Sequence, residues 1–160
     1  IRVKPGALMA SSDHMRMVVR GRQTHGALPW NGIDPIVVTS QIVNNLQSVV
    51  SRQMNLIEGP VVITVGSIHG GIRFNIIPDS VVVEGTIRTF DEGMRAAAHD
   101  RVRLAAEKIA EASGASARVE FINGTPVTRN DPALLERIRP ALDRAAEIMA
   151  TKSQQLPAAG

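Results

Sequence analysis

Three polar residues, His25, Asn75 and Arg88, have side chains that could bind a carboxylate or stabilise an oxyanion. His25 lies between Thr24 and Gly26, whose small side chains leave the imidazole accessible. An accessible imidazole can donate a hydrogen bond to an oxyanion, and a guanidinium can anchor a carboxylate through two parallel hydrogen bonds. We interpret the three residues as parts of one polar site.

Each of these residues also has a purely structural explanation, which spacing alone does not exclude. A loop histidine often satisfies nearby backbone groups, and Asn75 stands just before Ile77 and Pro78, where an asparagine suits a turn. Arg88 could be a solvated strand residue, or it could pair with Glu84. From the residues alone, the polar site is therefore a hypothesis.

The four histidines do not form a metal-binding pattern. His14, His25, His69 and His99 are isolated from one another, and none belongs to an HxxxH or HxD motif. We expect no metal site within this chain. We also expect His99 to be solvated on the exposed side of a helix.

The composition favours one domain, or one domain with pieces of a neighbour, built on an aliphatic core. Of 160 residues, 44% are hydrophobic, but the aromatic residues are only one Trp and three Phe. The net charge is +3 and the basic residues are scattered, so no nucleic-acid partner is expected. No apolar run reaches the ~20 residues of a membrane span, so no membrane partner is expected either. The lack of cysteine excludes disulfides and thiolate metal sites, but it leaves the compartment open between cytoplasm and periplasm.

Hydrophobic periodicity predicts the elements that would position the polar residues. In chain order they are a strand over 14–22, a helix from 35 to about 52, a strand over 61–68, a strand over 80–90, a helix from 92 to 114 and a strand around 117–121. This order is typical of an α+β ferredoxin-like βαββαβ sandwich. Such a fold has a four-stranded antiparallel sheet with two helices on one face.

The segments outside the sandwich, which spans 13–123, are predicted to be less regular. Residues 1–12 read as an irregular lead-in that ends in a polar break at Ser11 to Asp13. Residues 124–130 read as a linker, followed by a helix from 132 that Pro140 should kink or interrupt. A polar tail from Thr151 completes the chain.

Two longer stretches resemble a known family. GRQTHGALPWNGIDPI (21–36) and SIHGGIRFNIIPDSVVVEGTIRTFD (67–91) are similar to the lid, or dimerisation, domain of the M20 zinc amidohydrolases and peptidases. That group includes hippurate hydrolases, aminoacylases and carboxypeptidase G-type enzymes. The resemblance covers about residues 1–131, and it extends to MASSDHMRMVVRGR, SVVSRQ and GTPVTRND.

The resemblance implies roles for five residues. In the family, a larger domain holds two divalent metal ions, expected to be zinc, and the lid pairs with its copy in a second subunit. His25 matches the lid histidine that acts in the partner subunit's site and stabilises the tetrahedral intermediate. Asn75 and Arg88 match residues that hold the substrate's carboxylate or nearby backbone atoms. Gly70 and Gly71 match a glycine-rich turn that lets the main chain approach the ligand.

The chain departs from the family in lacking its metal-binding motifs. The HxD motif, the bridging Asp, the catalytic Glu pair and the last His ligand do not occur in these 160 residues. We therefore expect an excised lid, with 1–12 and 124–160 as stubs of the catalytic domain and with no activity of its own.

The predicted role is the dimerisation and substrate-clamp domain of an enzyme that hydrolyses an amide bond of an N-acyl amino acid or small peptide. The alternative is a self-standing ferredoxin-like dimerisation or ligand-sensing module. Trp30 either lines the substrate pocket or shields the underside of the histidine loop.

Overall fold

The computed structural model describes residues 3–154, apart from the side chains of residues 123 and 151–154. The described chain divides into two compact units. Residues 10–127 form one, called here the sandwich unit, and residues 3–9 with 128–154 form the other, called the terminal unit. The part of the predicted polar tail from 155 onward lies outside the described residues.

The described part of the chain contains eight strands and three α-helices. They are β1 (Gly6–Met9), β2 (Ser12–Arg20), β3 (Thr24–His25), α1 (Pro35–Ser48), β4 (Val61–Gly70), β5 (Ile76–Ile77), β6 (Ser80–Thr89), α2 (Glu92–Ala112), β7 (Ser116–Thr125), β8 (Thr128–Asn130) and α3 (Pro132–Gln154). A 3₁₀ turn lies between β3 and α1, and a π turn extends α1 to Gln53.

The sandwich unit is built on a four-stranded antiparallel sheet with the strand order β4-β6-β2-β7. β2 is central, and it pairs with β6 from Asp13 opposite Ile87 to Arg20 opposite Ser80. β4 and β7 form the two edges, and β4 carries a bulge at Gly66. The structure therefore confirms a mixed fold of helices and a mainly antiparallel sheet.

One face of this sheet and the two helices of the unit enclose a single aliphatic core. Met15, Met17 and Val19 alternate along β2 and are fully buried, as their period of two predicts. The helices contribute residues at helical spacing, namely Val38, Ile42, Leu46 and Val49 from the first and Met94, Ala98, Val102, Ala106 and Ala110 from the second. The buried residues of α2 are thus spaced by four from Met94 to Ala110.

Both helices begin at an aspartate cap. Asp34 Oδ1 accepts hydrogen bonds from the backbone N–H of Ile36 at 2.8 Å and of Val37 at 3.3 Å. Asp91 Oδ1 accepts one from Met94 N at 2.9 Å. Both starts agree with the sequence prediction, because an aspartate before the first turn satisfies N–H groups that have no partner inside the helix.

The predicted polar break at residues 11–13 is wrong. Ser11 and Asp13 are buried, and Asp13 belongs to β2. The backbone N–H of Ser11 donates to Thr89 O at 2.8 Å, and Thr89 N donates to Ser11 Oγ at 3.2 Å. Serine is buried here because both of its polar groups find partners on β6.

The terminal unit corrects two further expectations. β1 and β8 pair antiparallel, so the segments predicted to be an irregular lead-in and a linker each contain a strand. Strands this short show no alternation that a sequence pattern could reveal. The expected interruption at Pro140 is wrong, because the helix α3 continues through it, whereas a kink at this residue stays a prediction. Among the described helices, none combines the length and the apolar character needed to cross a membrane.

Candidate functional site

The candidate site begins with a short pair of strands outside the main sheet. β3 and β5 are antiparallel, with His25 opposite Ile76. Beyond this pair, Gly26 N donates to Asn75 O at 2.8 Å. Two segments that are 50 residues apart in sequence are thus joined, and they place His25 beside Asn75. The sequence prediction treated the histidine segment as an open loop and missed this pairing.

The hydrogen bonds of His25 define which nitrogen it presents to solvent. Its Nδ1 accepts a hydrogen bond from Ala27 N at 3.1 Å. An imidazole whose Nδ1 accepts carries its proton on Nε2, so the outward nitrogen is a donor. Leu28 N donates to His25 O at 2.8 Å and closes the turn. The side chain is therefore held as an exposed N–H donor, which is the form that suits an oxyanion.

Asn75 offers a second group at the same place. Its side chain is half-buried, and its amide makes no hydrogen bond to any other residue that the structure describes. The amide can therefore donate to and accept from a ligand without first breaking an internal bond. Beside it lies an open depression of about 360 Å³, lined by Gln23, Thr24, His25 and Ile76.

Arg88 lies apart from this pair. It is exposed near the end of β6, opposite Val62 on the edge strand. Eight residue steps separate it from Ser80 at the start of β6, which at about 3.3 Å per residue amounts to roughly 26 Å. Within the described residues the guanidinium has no ion-pair partner, since Glu84 instead lies 3.4 Å from His14 Nε2. One chain thus brings His25 and Asn75 together but leaves Arg88 at the other end of the strand.

The two glycines named from the sequence have clear structural roles. A Cβ on Gly70 would come within 2.7 Å of the Val81 side chain, so the tight packing of β4 on β6 excludes a larger residue. Gly71 has a φ of +89°, a conformation that favours glycine, where the chain leaves β4. Contact of either glycine with a ligand stays a prediction.

The sequence prediction missed a cluster of charged residues around the buried Asp13. Asp13 is only 1% exposed, and it accepts hydrogen bonds from Arg95 Nε at 2.9 Å and Nη2 at 2.6 Å. Glu92 accepts from Arg95 Nη1 at 3.0 Å and from Val127 N at 2.7 Å. The alternation of buried residues along β2 could have predicted the burial of Asp13, because Asp13 lies two residues before Met15 and so on the same inward face of the strand.

His99 belongs to the same cluster, so its expected solvent exposure is wrong. Its ring stacks on Phe121 with 3.8 Å between the ring centroids. Its Nε2 lies 3.2 Å from Asp13 Oδ2, but it is not aligned for a hydrogen bond. Arg103 covers the ring of Phe121, with 4.8 Å from the guanidinium carbon to the centroid. Helix α2 therefore turns His99 toward the sheet instead of toward water.

The environment of the cluster shifts the pKa of each member. Burial raises the pKa of Asp13, but hydrogen bonds from Arg95 and the nearby positive charges outweigh burial, and the net pKa is lowered. The bond to Asp13 raises the pKa of Arg95. The Val127 N–H and then Arg95 lower the pKa of Glu92. Burial lowers the pKa of His99, although the charge of Asp13 partly offsets this effect.

The residues that the structure describes do not fit a metal ion. Over residues 3–154, no three His, Cys, Asp or Glu side chains form a group that could hold one. Asp13 and His99 are close to each other, but both carboxylate oxygens of Asp13 already accept hydrogen bonds from Arg95. The cation in this cluster is therefore the guanidinium.

Comparison with known proteins identifies relatives over most of the chain. Residues 10–114 match the M20 family model described as the peptidase dimerisation domain. An N-acetyl-L-cysteine deacetylase of Bacillus subtilis is 41% identical over 143 residues, which are 89% of this chain and 34% of that enzyme. The thermostable carboxypeptidase 2 of Saccharolobus solfataricus is 34% identical over 93% of this chain and 38% of its own length.

A solved structure agrees with these matches. The YXEP protein of Bacillus subtilis, described as a dinuclear metal binding peptidase from the M20 family, is 32% identical with a TM-score of 0.69. The match covers 90% of this chain and 34% of that protein, so the chain spans about a third of the length of such relatives. The matched family model and the identity levels confirm the resemblance found in the sequence. The chain belongs to the M20 family and corresponds to its peptidase dimerisation domain.

Proposed function

We propose that this chain is the lid and dimer contact of a metal-dependent M20 enzyme that hydrolyses an amide bond of an N-acyl amino acid or small peptide. The deacetylase and carboxypeptidase names of its relatives support this reaction class. The two metal ions, which we take to be zinc, bind to a part of the longer enzyme outside this chain. The chain alone is therefore inactive. The strand order β4-β6-β2-β7 supports the further proposal that the sandwich unit is ferredoxin-like.

The proposal depends above all on the hydrogen bonding of His25. A backbone N–H holds Nδ1, so Nε2 points outward as a donor beside the unpaired amide of Asn75. A fixed donor of this kind stabilises the negative charge that develops on a carbonyl oxygen when an amide is attacked. Asn75 holds neighbouring atoms of the substrate. Arg88, with its free guanidinium, takes the substrate's carboxylate.

One edge of the sheet is suited to pairing with a second copy. The edge strand β4 contains no Lys, Arg, Asp or Glu, and neither does the adjacent helix α1. The opposite edge, β7, carries Arg118 and Glu120. Charged side chains protect an exposed sheet edge from pairing, and their absence favours it. We therefore assign the homodimer contact to β4 and α1.

Pairing of this kind explains why Arg88 is distant from His25 within one chain. A two-fold axis near the middle of β4 sets the two copies of the strand antiparallel. The β6 end that carries Arg88 in one chain then lies at the same end of the joined sheet as His25 and Asn75 of the second chain. Each complete site therefore uses Arg88 from one subunit and the other two residues from its partner.

Mixed dimers of the full-length enzyme test this arrangement. His25→Ala and Arg88→Ala each inactivate the homodimer, but a dimer of one variant with the other contains one intact site. Co-expression with two different affinity tags isolates these mixed dimers, and we expect about half of the wild-type activity from them. A site built within a single chain would give no recovery.

The reciprocal dimer is the matched control. This dimer pairs a wild-type subunit with the double variant His25→Ala/Arg88→Ala. If His25 and Arg88 act across the interface, one site lacks His25 and the other lacks Arg88, so neither site is intact. Sites confined to one chain would instead retain about half of the activity in this dimer. The two mixed dimers thus give opposite results under the two arrangements.

A further inference from the structure

Two of the four aromatic side chains are exposed on the segments that form the candidate site. The chain contains one Trp and three Phe. Trp30 is 73% exposed and Phe74 is fully exposed, whereas Phe121 is stacked on His99. Large apolar rings that face water usually mark a surface that binds something. In a chain with so few aromatic residues, their position next to the site is informative.

Trp30 is held in place by its own segment. It occupies a single 3₁₀ turn that follows β3, and Leu28 N donates to His25 O at 2.8 Å just before it. On the other side, Arg22 Nε donates to Asn31 O at 3.2 Å. These hydrogen bonds hold the backbone of the turn that carries the exposed indole, five residues after His25. It does not shield the underside of the histidine segment, which was one of the two roles considered for it.

Phe74 stands on the opposing segment. It directly precedes Asn75, whose carbonyl accepts the hydrogen bond from Gly26 N at 2.8 Å. Ile72, two residues earlier, is also exposed, at 72%. The two hydrogen-bonded segments of the site thus each carry one exposed aromatic ring and one polar residue of the site.

We propose that Trp30 and Phe74 bind the acyl group of the substrate and select bulky apolar acyl groups, such as benzoyl, over acetyl. This inference depends on the proposed lid function. With the substrate's carboxylate at Arg88 of the partner subunit and its carbonyl oxygen at His25, the acyl group and the amino-acid side chain remain to be placed. The acyl group is bonded to the carbonyl carbon at His25, so it is the one that we assign to the rings on the His25 and Asn75 segments. Binding sites of this kind combine apolar walls with a few polar groups that fix orientation.

The test compares two substrates of the full-length enzyme, the N-benzoyl and N-acetyl derivatives of the same amino acid. We expect Trp30→Ala and Phe74→Ala each to lower kcat/KM for the benzoyl substrate about tenfold, because each removes a ring that the benzoyl group covers. For the acetyl substrate we expect a change of about twofold or less. Ile57→Ala is the control, since it removes an equally exposed apolar side chain from the turn before β4 and should change neither value.

The outcomes separate this inference from the proposed function. Equal losses for both substrates would overturn the acyl assignment, because the rings would then contact protein instead of the acyl group. Unchanged values for both substrates would overturn it as well. In either case, hydrolysis of the acetyl substrate by the wild-type enzyme would leave the proposed function intact. A wild-type enzyme that hydrolyses neither amide would overturn both.

Discussion

Asp13 and Arg95 form a two-point ion pair between the central strand of the sheet and helix α2. The distances are 2.9 Å from Nε to Oδ2 and 2.6 Å from Nη2 to Oδ1, and the carboxylate is almost completely buried. A paired guanidinium and carboxylate of this geometry are both charge-assisted and directional. The pair therefore fixes where the first turn of α2 meets the start of β2.

Removing the negative charge from this pair should destabilise the chain. Asp13→Asn keeps the shape of the side chain but leaves the partly buried Arg95 with Glu92 as its remaining counter-ion. We expect a loss of about 2 kcal/mol in the free energy of unfolding, because a neutral amide cannot replace the buried charge-assisted hydrogen bonds of the carboxylate. Urea unfolding followed by circular dichroism measures the loss.

The control for Asp13→Asn is Asp100→Asn on the same helix. Asp100 is 3.3 Å from Arg103 Nη1, and its side chain is 80% exposed. An exposed pair of this type contributes about 0.5 kcal/mol or less. Equal losses from the two substitutions would show that the burial of Asp13 has no energetic importance.

His99 should make the stability of the chain depend on pH in the weakly acidic range. Burial lowers its pKa in the folded state, and the charged groups that face it are Asp13 on β2 and Arg95 and Arg103 on α2. As pH falls below about 6.5, the unfolded chain takes up a proton on this histidine before the folded chain does. We therefore expect the free energy of unfolding to decrease from pH 7 to pH 5.

Replacement of the histidine isolates its contribution. His99→Gln should show a smaller decrease between pH 7 and pH 5 than the wild-type chain, measured by urea unfolding at each pH. Asp13 does not interfere in this window, because its pKa is lowered from an ordinary value of about 3.9. A steeper decrease in the variant would mean that the folded state favours protonated His99, contrary to the effect of burial.

The sequence predicts the sheet and helices well because their signals are local. The alternation of Met15, Met17 and Val19 and the cap at Asp34 each depend on a few neighbouring residues. The pairing of His25 with Ile76 depends on residues far apart in sequence, and two-residue strands carry no periodic pattern. The burial of His99 was missed for a related reason, since only the folded sheet brings Asp13 and Phe121 to it.

Gly85 should be essential to the packing of the sheet. It lies in the middle of β6, where an added Cβ would overlap the carbonyl oxygen of Thr64 and approach Met15 Cε to 2.9 Å. The Thr64 carbonyl belongs to the backbone of β4, which cannot shift without disturbing its pairing with β6. We expect Gly85→Ala to lower the free energy of unfolding by about 3 kcal/mol, measured by urea unfolding.

Gly66 on the neighbouring strand provides the comparison for Gly85. A Cβ at this position would lie 3.7 Å from Glu84 O, which is an ordinary contact. Gly66→Ala should therefore change stability by about 1 kcal/mol or less. If Gly85→Ala were tolerated equally well, the strands β4 and β6 would have to lie further apart than their pairing indicates.

Substitution of an exposed valine on α1 should break the proposed dimer without unfolding the chain. Val37 is 51% exposed in the first turn of this uncharged helix. Val37→Asp places a negative charge in the proposed contact, while an aspartate near a helix N-terminus is favourable to the helix itself. Light scattering over a concentration series should show a dimer for the wild-type chain and a monomer for the variant.

Leu104→Asp, at a 58% exposed position of α2, should remain dimeric, because we assign no contact to that position. A dimer that survives Val37→Asp but dissociates with Leu104→Asp would move the contact from α1 and β4 to the other side of the sandwich unit.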